Sequence, residues 1–235
     1  MNIPTIHGFI DRRILVNFTI DPDIAAKIIP APFRPKLYGN KAIGGICLIR
    51  LKYIKPKILK GNFGISSENA AHRFAVEWDE DGIIKEGVYI PRRNTSSIIN
   101  SFAGGRLFPG KHYHSKFKVD ETHNQYNVSF THDDGTGIDL RSKATSKFDN
   151  NSIFKNIQNA SQFFENGALG YSPGKGHLDG ILLNTYRWEV SPLDITEVKS
   201  NYFENTSIFP EGSVNFDHAL LMRNIEHEWI SSGIK

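Results

Sequence analysis

Apolar and polar residues alternate along this chain in short runs broken by turn-forming residues, the two-residue period of half-buried strands. Residues 42–53, 72–78 and 87–90 are rich in β-branched and apolar side chains and read as strands. Between the last two lies Asp79-Glu80-Asp81-Gly82, whose Asp-Gly pair predicts a hairpin turn. Residues 116–119, 125–131 and 137–143 form three more short runs. Asp133-Asp134-Gly135 separates the last two, which predicts an antiparallel meander belonging to the same sheet. Further strand candidates follow at 184–190 and 195–203, and residues 214–230 fit either a strand or a helix.

Helical signals are few and local. Asp21 followed by Pro22 gives a cap and a first-turn proline, Ile24, Ile28 and Ile29 form an apolar stripe, and Pro30 and Pro32 stop it. Thr95-Ser96-Ser97 caps a short helix over 98–102, with Gly104-Gly105 just past its end. Asn151-Ser152 caps a third helix running to Phe164, with Ile153, Ile157 and Ser161 on one face and Gly167 ending it. No repeat, linker or shift in composition marks a boundary, so residues 1–235 read as a single domain. Many strands with a few inserted helices predict an α+β architecture, mainly an antiparallel β-barrel, rather than a doubly wound parallel sheet.

Composition narrows the function classes. The chain is 39% hydrophobic and carries sixteen phenylalanines, enough to fill a core. A formal charge of +3, from 28 basic and 25 acidic residues, is too even to imply a nucleic acid partner. The lysines between Lys52 and Lys60 are interrupted by prolines and aliphatics and read as a solvated loop. The single cysteine, Cys47, makes no internal disulfide and sits in an apolar run, which predicts a buried thiol and suits a reducing cytoplasm. The N-terminal residues lack a basic region followed by an apolar core, and no run of roughly 18 apolar residues occurs, so neither export nor membrane insertion is expected. A homo-oligomer is the macromolecular association left open.

Several motifs fail on inspection. Gly170-Tyr171-Ser172-Pro173-Gly174 matches the serine hydrolase elbow, yet that motif takes a backbone N–H directly after the serine, and Pro173 has none. It reads instead as a glycine-rich loop over a pocket. No dinucleotide or P-loop glycine pattern exists, and no cofactor is implied. His112 and His114, two apart, would share one face of a strand, but two ligands do not make a metal site, and ordinary hydrogen-bonded histidines are expected.

The stretch from Gly104 to His114 is where chemistry concentrates, because Lys111, His112 and His114 follow a corner shaped by glycine and proline. A lysine becomes nucleophilic only when neutral, and Phe108 and Tyr113 could desolvate Lys111. Glu68 suits proton transfer or an ion pair with Arg73 or Arg106. Arg92 and Arg93 follow Pro91 in extended geometry, so one should face inward and clamp a substrate carboxylate; Arg92 is the candidate taken, with Arg106 beside it.

The run Gly105-Arg106-Leu107-Phe108-Pro109-Gly110-Lys111, with Ser67-Glu68-Asn69-Ala70 upstream, resembles the acetoacetate decarboxylases, and the whole chain looks like an uncharacterised bacterial branch of that superfamily. The resemblance implies a mainly antiparallel barrel or cone with a few short helices, a small-molecule site in its interior, and Glu68 as the site carboxylate. Those decarboxylases carry two lysines after Phe-Pro, the first forming a Schiff base and the second lowering its pKa, an activated lysine that is itself a standard example. Here the first position is Gly110 and the second is Lys111. The expected function is therefore binding of an oxo-acid or similar metabolite, with Lys111 and Glu68 as catalytic candidates and Arg92, Arg106, His112, His114, Tyr113 and Phe108 as contacts. The second reading is a Schiff-base lyase using Lys111. Both require Lys111 and Glu68 to share one enclosed chamber.

Overall fold

The structure, a computed structural model, describes residues 5–61, 63–103, 110–174 and 176–234. The first half runs β1 (Ile6–Ile20), α1 (Pro22–Ile28), β2 (Arg34–Pro35), β3 (Leu37–Tyr38), β4 (Lys41–Pro56), β5 (Ile65–Glu80), β6 (Ile83–Thr95) and α2 (Ile98–Ala103). The second half runs β7 (His112–His114), β8 (Lys116–Glu121), β9 (Tyr126–Thr131), β10 (Gly137–Ala144), α3 (Ile157–Glu165), β11 (Leu169–Pro173), β12 (Leu178–Thr185), β13 (Ser191–Ser200) and β14 (Val214–Ile234). A mostly-strand sheet with few helices is thus what the alternating pattern produces.

Pairing closes a circuit. β1 lies antiparallel between β4 and β14, and the path β1–β4–β5–β6–β11–β12–β14 returns to β1. From β14 the sheet also continues through β13, β10 and β9 to β8, a second wall outside that ring. The long ambiguous C-terminal segment resolves as a strand because both its edges are paired: β1 along its length, and β13 then β12 on the other side.

The hairpin, the meander and the capped first helix fall where the sequence places them. Asp81 and Gly82 turn between β5 and β6 with φ of 52 and 78°, the left-handed geometry that Asp-Gly favours. Asp21 accepts from the Asp23 amide through Oδ1 at 2.9 Å to open α1. Two expectations are corrected. The third helix starts at Ile157, capped by Asn156, because Asn151 to Lys155 form turns and Lys155 takes φ 62°. Residues 170–173 are strand β11, not a loop, because they pair antiparallel with β12. The sheet is mainly antiparallel, as expected, with β11 and β7 each lying parallel to β6 and each reached by a crossover rather than a tight turn.

Strand alternation divides the ring's side chains into two populations. Ile14, Val16, Ile46, Leu48, Ala70, Phe74 and Val76 join Phe130, Leu140 and Phe203 in the main core between the ring and its outer wall. Their odd-numbered neighbours, including Leu15, Cys47 and Ala75, face the other way and meet Phe154, Phe163 and Phe164 around α3. That second face carries the site.

Candidate functional site

The ring strands line a cavity of about 110 Å³ that adjoins another of about 80 Å³, the two sharing Ile49, Ala71, Arg93, Ile181 and Trp229 as walls. At roughly 10–15 Å³ per water-sized group, they hold a compact ligand of on the order of ten heavy atoms. Residues of β1, β4, β5, β6, β11, β12 and β14 all reach the larger cavity, and Phe163 and Phe164 of α3 close one side.

The lining is cationic. Arg13, Arg73 and Arg93 all reach the cavity, and among the described residues none has a carboxylate partner. Lys36 also lines it but is neutralised by Glu86, whose carboxylate accepts from Nζ at 2.6 Å. Arg73 is buried and Arg13 and Arg93 are half-buried; charges withdrawn from water ordinarily come paired, so three such guanidiniums without a counter-ion are a departure that asks for an anion.

Each arginine is held by neutral groups. Arg93 faces inward because it pairs with Ala71 of β5, and its Nε donates to Ser172 Oγ of β11 at 3.1 Å. Its Nη2 is buried with no acceptor. Arg73 is 4% exposed, lies 4.9 Å from the centroid of the Phe164 ring, and likewise keeps Nε buried without a partner. Burial pulls both guanidiniums down to about 10, which leaves them charged at neutral pH. Arg13 donates through Nε to Cys47 Sγ at 3.3 Å.

Behind Arg73 runs a buried relay. Arg73 Nη2 donates to Asn17 Oδ1, and Asn17 Nδ2 lies 3.1 Å from His218 Nε2. His218 Nδ1 contacts Asp217, which also accepts from Ser152 Oγ at 2.7 Å and from the Ile153 amide at 3.0 Å. The directions are mutually consistent: His218 is neutral, protonated on Nδ1 and accepting on Nε2. Burial drives its pKa down, with the Asp217 carboxylate opposing.

The residues singled out from the sequence are distributed differently. His112 does reach the smaller cavity, beside Arg93 in register, and burial followed by the Arg93 charge pushes its pKa down to about 3. Lys111 is exposed, its Nζ 4.4 Å from the Tyr113 ring centroid, and that ring's other close cation is Arg92 at 4.1 Å. Arg92 faces away from the cavity and pairs with Asp134 at 2.8 Å, so the inward arginine is Arg93: the alternation holds and the choice between the two inverts. His114 is exposed. Glu68 alternates with Asn69 and Ala71, takes the opposite face of β5, and pairs with Arg12 at 2.6 Å and with Arg50. Lys111 and Glu68 therefore do not share the chamber. Arg106 and Phe108 lie outside the described residues.

Gly110 explains part of this. It is buried with φ 72°, and a Cβ there would meet Ser172 Cβ at 2.6 Å. Where the resemblance expects the first lysine, the backbone instead packs flat against the serine that holds Arg93. Arg13, Arg73 and Cys47 join the site without belonging to any motif, and strand alternation is the signal that places them there. Each alternates with apolar neighbours in a strand, so each points where Leu15, Ala75 or Ile49 points.

No protein-family model matches the chain, and no curated protein does. Solved structures match over nearly its full length. Acetoacetate decarboxylase from Legionella pneumophila superposes with a TM-score of 0.61 at 12% identity, covering 98% of this chain and 86% of that one. An acetoacetate decarboxylase-like enzyme from Sphingomonas wittichii gives 0.61 at 10% identity, covering 100% and 93%. The enduracididine biosynthesis enzyme MppR, in complex with pyruvate, gives 0.57 at 9% identity, covering 100% and 91%. The shared property is the fold.

Proposed function

We propose that this chain, which has the fold of the acetoacetate decarboxylases, binds a small carboxylate, an oxo-acid or a similar metabolite, inside the barrel formed by its closed circuit of strands. The single observation that carries the reading is the set of three cavity-lining arginines with no carboxylate partner, two of which keep buried N–H groups without an acceptor. A guanidinium is a fork matched to a carboxylate, and a ligand anion would satisfy the orphaned donors while neutralising charge that the protein leaves bare. The apolar remainder of the wall, Ile49, Ala71, Ile181 and Trp229, suits a short carbon skeleton. Support from similarity is limited to one fact: a protein of the same fold, MppR, holds pyruvate.

Isothermal titration with pyruvate, lactate and lactamide tests the reading. Both acids should bind and the neutral amide should not. Saturable binding of all three with equal affinity would remove the anion from the account.

A further inference from the structure

Cys47 is the only cysteine of the chain, its thiol is free, and it is 7% exposed on the wall of the larger cavity. Its Sγ accepts from Arg13 Nε at 3.3 Å, and Arg73 and Arg93 line the same cavity. A cysteine adds to a carbonyl carbon through its deprotonated sulfur, so the thiol proton has to leave in the same step. The sulfur shares this cavity with three cations, and two of them keep a buried donor unfilled, Arg73 Nε and Arg93 Nη2.

We propose that Cys47 adds covalently and reversibly to the carbonyl carbon of a 2-oxo acid held by these arginines, an inference that rests on the carboxylate-binding reading above. Such a ligand presents a carboxylate and, one bond away, an electrophilic carbon whose oxygen becomes anionic on attack. Arg13 holds the sulfur through its hydrogen bond, and Arg73 and Arg93 would take the carboxylate and the oxygen that gains the carbonyl π pair. In the step, the C–S bond forms and the carbonyl π pair moves onto oxygen. The proton given up by the thiol ends on that oxygen. The product is a thiohemiketal, with no leaving group and no net oxidation or reduction.

The test uses pyruvate isotopically labelled at its carbonyl carbon, with lactate as the same carboxylate lacking the carbonyl. In the native protein the bound carbonyl resonance should move from the trigonal to the tetrahedral region, and Cys47→Ser should abolish that signal. The serine variant should still be stabilised by both acids, while its preference for pyruvate over lactate falls by about tenfold or more, a change of roughly 1.4 kcal/mol per decade. Bound pyruvate that stays trigonal, or a pyruvate preference that survives in Cys47→Ser, overturns the covalent step and leaves carboxylate binding standing. Absence of stabilisation by either acid in the native protein overturns the binding reading and this inference with it.

Discussion

Arg93, which lines the cavity, donates to Ser172 Oγ at 3.1 Å through Nε and leaves Nη2 buried without an acceptor. A neutral hydroxyl fixes the plane of the guanidinium without cancelling its charge. The serine that superficially completes a hydrolase motif is a positioning group, and the cation it positions belongs to a different strand.

This arrangement sets stability against function. A buried charge without a partner is costly, so Arg93→Met should raise the stability of the unliganded protein by on the order of 1 kcal/mol while abolishing its stabilisation by carboxylates. Urea denaturation with and without acetate reads both effects. A variant that is strongly destabilised and still responds to acetate would show that Arg93 is a structural residue.

The relay behind Arg73 is expected to act as one unit. Asn17→Leu removes the acceptor of Arg73 Nη2 and the neighbour of His218 Nε2 at once. It leaves these two buried groups unsatisfied, so a loss of about 2–6 kcal/mol is expected at roughly 1–3 kcal/mol each. Weaker carboxylate binding should accompany it, since Arg73 loses its anchor. In a double-mutant cycle with His218→Leu the two losses should fall well short of additive; strict additivity would deny the coupling.

Much of the fold was legible and much of the site was not, for different physical reasons. The Asp81-Gly82 turn, the Asp21 cap and the meander rest on local backbone preferences, which sequence encodes within a few residues. Residues 170–173 escaped because glycine and proline suggest a loop, whereas pairing with β12 and β6 overrides that preference. For the site, alternation correctly implied that Arg92 and Arg93 face opposite ways. Which faced inward depended on the register that sets Arg93 against Ala71, and register is a long-range property. Lys111 drew notice because of what precedes it, yet Gly110 turns the chain so that its amine rests on Tyr113.

Acid sensitivity follows from two buried histidines and one half-buried one. His72, His112 and His227 are each pushed from 6.5 to about 3, mainly by burial. Between those values the unfolded chain binds protons that the folded chain does not, so stability rises with pH across this window and is lost on acidification. Each histidine contributes up to about 1.4 kcal/mol per pH unit below roughly pH 6. Urea midpoints should fall steeply from pH 7 to pH 5. A flat profile would mean that these rings protonate in the folded state.

Lys111 is expected to be dispensable for binding. Lys111→Ala should leave carboxylate affinity unchanged and shift stability by no more than about 0.5 kcal/mol, as for other exposed positions. Borohydride reduction with pyruvate, followed by mass spectrometry, should add no mass at this residue. An adduct at Lys111 would show the amine turning into the ring and would restore imine chemistry.

The most direct measurement is thermal unfolding of the native protein and of Arg93→Met against increasing pyruvate, with lactamide as the neutral control. At a hundredfold excess over the dissociation constant, ligand stabilisation is about 2.7 kcal/mol. At roughly 2–4 °C per kcal/mol for a domain of this size, the native melting temperature should climb by several degrees with pyruvate alone, and that of Arg93→Met should stay put. Equal shifts in both proteins, or a response to lactamide matching that to pyruvate, would contradict an anion site built on these arginines.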